Sequence, residues 1–105
     1  MNKFTKMLSD ARVTISNDIK VRIFKLLPNG TQRRIIQHNA CIFLGLKNLQ
    51  ARLNNDGNVV GAMNIEVEAY DYLYDYIIFC QAVGIDPASH FTIYTPLSIN
   101  ELNEL

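Results

Sequence analysis

The chain has 105 residues, 49% of them hydrophobic, with ten basic and ten acidic side chains. This excludes a disordered coil, and the length predicts a single globular domain over residues 1–105 whose core needs no disulfide or metal staple. The zero net charge conceals a division: ten bases and two acids occur up to Arg52, a net of +8, and eight acids with no base follow, a net of −8.

Residues Asn2 to Leu8 read as a short helix, and Arg12 to Ser16 as a strand with Val13 and Ile15 on one face. Asn17-Asp18 is a turn signal. From Ile19 to Lys25 apolar and basic residues alternate, which predicts a strand with Ile19, Val21 and Ile23 inward. Pro28-Asn29-Gly30 predicts a tight turn, and Thr31 to Gln37 a returning strand. The competing reading is a helix from Asn17 to Leu27, capped by Ser16, with Ile19, Ile23, Leu26 and Leu27 on one side. The density of β-branched residues favours the strands.

Asn39 suits the N-cap of a helix reaching about Leu53, with Ile42, Leu46, Leu49 and Leu53 as its apolar stripe. Asn54 to Asn58 is a loop. A second main helix is expected from about Ile65 to Val83, closed by Gly84 and Pro87. Asp86-Pro87 can start a helical turn, Phe91 to Tyr94 reads as a strand, and Ser98 with Glu101 forms a capping box. The expected fold is α+β: a small antiparallel sheet or hairpin in the N-terminal half, packed with two main helices.

Met1 to Asp10 holds no long apolar region, and Ala40 to Leu46 is too short to span a bilayer, so no membrane partner is expected. Cys41 and Cys80 lie among apolar neighbours, which suggests reduced, buried thiols and a cytoplasmic setting.

Tyr70, Tyr72, Tyr74 and Tyr76 alternate with Asp71, Leu73 and Asp75. On a helix, Tyr70 and Tyr74 share one face, and Tyr72 and Tyr76 a nearly opposite one. One pair is expected in the core and the other at an interface, where Tyr buries much area at low entropic cost. Tyr72, Tyr76, Asp71 and Asp75 are therefore the expected acidic–aromatic contact residues. The basic half offers a DNA-binding alternative: Lys47, Gln50 and Arg52 at base edges, with Lys20, Arg33 and Arg34 on phosphates.

The segment Gln81-Ala82-Val83-Gly84-Ile85-Asp86-Pro87-Ala88-Ser89-His90-Phe91 resembles the closing segment of lambda-repressor-type helix-turn-helix domains. The resemblance implies an upstream helix-turn-helix with its turn at Gly45. Ala51 and Asn54 stand where that pattern wants buried apolar groups, so the family is not assigned. His38, Cys41, Cys80 and His90 are tetrahedral-zinc ligand types, but no pair has a finger spacing, and no metal or cofactor is expected. Ser89-His90 is not triad geometry, and Gly57 and Gly61 lack the residues of a phosphate loop. The sequence thus reads as a non-catalytic accessory or regulatory protein that docks on a protein partner and self-associates, head to tail or about a dyad. It has the style of small inhibitors carried by bacteria and their phages.

Overall fold

The computed structural model describes residues 19–88, and these form three helices: α1 (Ile19–Leu26), α2 (Asn29–Asn55) and α3 (Val59–Ala82). No strand occurs among the described residues, which overturns the expected α+β fold and its hairpin over Ile19 to Gln37. The expected elements at Asn2–Leu8, Arg12–Ser16, Phe91–Tyr94 and around Ser98 lie outside the described residues.

The helical alternative for Ile19 to Leu27 is the one formed, but with a different inward face. Val21 and Phe24, one turn apart, are buried, while Ile19 and Ile23 are exposed. Pro28, at φ −58 and ψ 150, is the residue just before α2. Asn29-Gly30 becomes the first turn of α2, where backbone N–H groups need no intrahelical partner. Gln32 fastens the junction. Its side-chain nitrogen donates to the carbonyl oxygens of Phe24 at 3.1 Å and Lys25 at 3.4 Å, capping the end of α1.

α2 begins ten residues before Asn39 and is unbroken through Gly45, so no helix-turn-helix forms there. Its end is a Schellman closure: Gly57, at φ +79, donates to Asn54 and Asn58 donates to Leu53. Asn58 then caps α3, its side-chain oxygen accepting from the Gly61 N–H at 2.9 Å. α3 starts at Val59, before the expected Ile65, and ends as the sequence indicates. Gly84 lies at φ +75, its N–H donates to Gln81, and Ile85 donates to Cys80.

The three-residue link makes α2 and α3 an antiparallel hairpin. The register follows from the contacts: the Phe43 and Tyr70 rings meet at 5.9 Å, and one turn on, Lys47 reaches back over Tyr70. Ile36, Ala40 and Phe43 on α2 pack with Leu73, Tyr76, Ile77 and Cys80 on α3. α1 closes one end of the hairpin by stacking Phe24 on Phe79, with ring centroids 4.4 Å apart. Burial of each of these rings contributes on the order of 2–3 kcal/mol.

Candidate functional site

The tyrosines of α3 do not divide into the expected pairs. Tyr76 is wholly buried and Tyr70 is 8% exposed, whereas Tyr72 is half-buried and Tyr74 is 39% exposed. The buried arc of α3 is wide, because α2 covers one side and α1 another. One member of each pair therefore reaches the core. Tyr76 donates its hydroxyl to the Pro87 carbonyl at 2.7 Å and has no surface to offer.

The outward face of α3 has two zones. Val60, Met63 and Val67 are exposed in its first half, at 71%, 60% and 68%. In the second half Glu68, Asp71, Tyr72 and Asp75 line a surface hollow of about 310 Å³. Three of the four residues expected for an acidic–aromatic face, Tyr72, Asp71 and Asp75, thus lie together in one concavity, with Glu68 added. Residues spaced by three, four and seven share a helix face, which is the signal that placed them together.

Charge follows the helices. α1 and α2 carry Lys20, Arg22, Lys25, Arg33, Arg34, Lys47 and Arg52 with no acid, and α3 carries Glu66, Glu68, Asp71 and Asp75 with no base. An ion pair bridges the two sets where Lys20 Nζ meets Asp75 at 3.5 Å. Lys20 also edges an apolar groove of about 240 Å³, lined by Ile23, Phe24, Leu27, Ile35 and Phe79. The acidic hollow and the apolar groove therefore adjoin each other, with the Lys20–Asp75 pair between them.

The side chains expected to meet DNA are dispersed. Lys47 and Gln50 are buried in the α2–α3 seam, where Lys47 Nζ donates to Gln50 Oε1 at 2.7 Å and stands 5.6 Å from the Tyr70 ring centre. Burial lowers the Lys47 pKa, and Glu66 partly restores it. Lys20 faces Asp75, and Arg33, Arg34 and Arg52 are exposed along α2.

The two cysteines are not in a disulfide: Cys41 is exposed on α2 and Cys80 is buried in α3. Burial pushes the Cys80 thiol up to about 12. His38 is exposed on α2, and His90 lies outside the described residues. No cluster of three or more His, Cys, Asp or Glu side chains suited to a metal occurs among the described residues. No helix among them is long and apolar enough to cross a membrane. No protein-family model, characterised protein or solved structure matches this chain.

Proposed function

We propose that this chain is a non-catalytic docking protein whose acidic–aromatic hollow on α3 receives a basic side chain of a protein partner. The observation that carries the reading is the convergence of Glu68, Asp71 and Asp75 with the half-buried Tyr72 ring around one open concavity. Carboxylates pair with a guanidinium in forked geometry, and a tyrosine face attracts a cation by its quadrupole. The exposed Val60, Met63 and Val67 on the same helix supply the apolar contact such an interface needs.

The DNA alternative has less support, since Lys47 and Gln50 are bonded to each other inside the hairpin. An arginine hexapeptide, titrated calorimetrically into the full chain, tests the docking reading. Binding is expected at low salt, with a loss of about tenfold in Asp71→Asn and in Tyr72→Ala. Asp56→Asn, outside the hollow, should leave it unchanged. No binding by the unaltered chain, or equal losses for all three variants, would overturn the assignment. A duplex-DNA shift that weakens steeply with salt would transfer the function to the basic helices.

A further inference from the structure

The partner of the hollow has a source on the molecule itself. Beside the hollow stands α1, a short ridge with Ile19, Ile23 and Leu26 exposed at 68%, 56% and 85%. Lys20, Arg22 and Lys25 flank that apolar crest, and no acid occurs on the ridge. The hollow is its converse: concave, acidic and aromatic. The Lys20–Asp75 ion pair shows that ridge and hollow are contiguous on one side of the molecule rather than on opposite sides.

That adjacency sets the symmetry. Complementary patches on opposite faces generate open head-to-tail chains, whereas complementary patches side by side on one face match themselves under a two-fold rotation. We infer that two copies of this chain pair about a dyad beside the Lys20–Asp75 bridge, the α1 ridge of each copy entering the α3 hollow of the other. This rests on the docking reading above and names its occupant. Each crossing sets Arg22 and Lys25 of one copy toward Glu68 and Asp71 of the other. The exposed Ile19 and Ile23 of one copy cover Tyr72 and the apolar groove that the other copy lines with its own Ile23, Leu27, Ile35 and Phe79. The two-fold repeats every contact, so a short helix contributes twice to the buried area. The charge pairing makes the dimer sensitive to salt.

Sedimentation equilibrium of the full chain, from micromolar to millimolar concentration and at low and high salt, tests this. The expected result is growth that stops at twice the 12.0 kDa monomer and weakens as salt rises. Two reversed variants sharpen it: Glu68→Lys with Asp71→Lys in the hollow, and Arg22→Glu with Lys25→Glu on the ridge. Each alone should weaken self-association on the order of a hundredfold, because the dyad counts every reversed charge twice. An equimolar mixture of the two should recover a 1:1 dimer, since both crossings are again complementary. Asp71→Asn and Arg22→Gln, milder changes that leave helical circular dichroism intact, should give intermediate losses. Growth beyond two copies would replace the dyad with a head-to-tail contact. An unaltered chain that stays monomeric throughout, or a mixture that fails to pair, would overturn the inference. If that monomer still binds the arginine hexapeptide, the docking reading stands and only the identity of the partner falls.

Discussion

The Tyr76 hydroxyl donates a 2.7 Å hydrogen bond to the carbonyl oxygen of Pro87, eleven residues further along the chain. The bond ties the segment after α3 back against the helix that precedes it. Its neighbourhood is consistent: Gly84 closes α3, Asp86 accepts from the Ala88 N–H at 3.1 Å, and Pro87 is buried. Tyr76 is thus a strut for the turn.

Tyr76→Phe keeps the ring but leaves a buried carbonyl without its donor. A loss of about 1–3 kcal/mol is expected, and Tyr76→Ala, which also opens a cavity, should cost about 3–5 kcal/mol. Tyr72→Ala, at a half-buried ring in the hollow, should cost no more than about 1 kcal/mol. Urea midpoints of the three variants check the order, and a Tyr72 loss as large as that of Tyr76 would place both rings in the core.

That contrast marks how far the sequence could be read. The apolar stripe Ile42, Leu46, Leu49 and Leu53 identifies α2 as a helix, yet these residues are only half-buried or, for Leu49, 40% exposed. The buried residues of α2 include Gln32, Asn39, Lys47 and Gln50 as well as Ile36, Ala40 and Phe43. Periodicity follows hydrophobicity, and here the packed face is interrupted by polar groups satisfied only in three dimensions, as Gln32 is by the end of α1. The same limit explains the lost hairpin. Alternating Ile, Val and Ile residues score as a strand, but the stack of Phe24 on Phe79 rewards a helix, and tertiary packing overrides local propensity. The end of α3 was legible because Gly84 and Pro87 act through backbone chemistry alone. The hollow was legible in part: spacing grouped Tyr72 with Asp71 and Asp75, while only the packing of α1 and α2 shows that Tyr76 is enclosed.

Lys47 and Gln50 form a hydrogen-bonded polar pair in the α2–α3 seam, and removing one member should be worse than removing both. Gln50→Leu removes the hydrogen-bond acceptor of a buried ammonium, leaving it the Tyr70 ring and the charge of Glu66, and should cost about 1–3 kcal/mol. Lys47→Met with Gln50→Leu should match or exceed the stability of the unaltered chain. Because burial lowers the Lys47 pKa, the unfolded chain holds its proton more tightly than the folded one. Lys47 should therefore add stability as pH rises toward 10.5, a contribution the double variant lacks, so the difference between the two proteins, which share Cys80, isolates it. Denaturant titrations at neutral and alkaline pH measure both effects.

Cys80 contributes with the opposite sign. Its thiol is raised from 9.0 to about 12 by burial, offset in part by a hydrogen bond with Tyr76 and reinforced by the charge of Asp86. Above pH 9 the unfolded thiol ionises while the folded one does not, so stability falls from there toward pH 12. Cys80→Ala removes that slope. At neutral pH a thiol reagent should modify the exposed Cys41 at once and reach Cys80 only after denaturant is added. Equal reaction rates at the two sites in the native chain would contradict the burial of Cys80.

The start of α3 tests whether a cap and a glycine are coupled. The Asn58 side chain accepts from Gly61, and a Cβ added to Gly61 would stand 2.6–2.9 Å from that same side chain. In the unaltered chain, Gly61→Ala gains helix propensity of about 1 kcal/mol but displaces the cap, so little or no stabilisation is expected. Asn58→Ala alone should cost about 1 kcal/mol. In the Asn58→Ala background the obstruction is gone, and Gly61→Ala should then stabilise by about 0.5–1 kcal/mol. Thermal midpoints of the four proteins close the cycle, where 1 kcal/mol corresponds to roughly 4–8 °C in a domain of this size. Additive effects would mean that the Asn58 side chain does not hold α3 in solution, and the cap would then have to come from water.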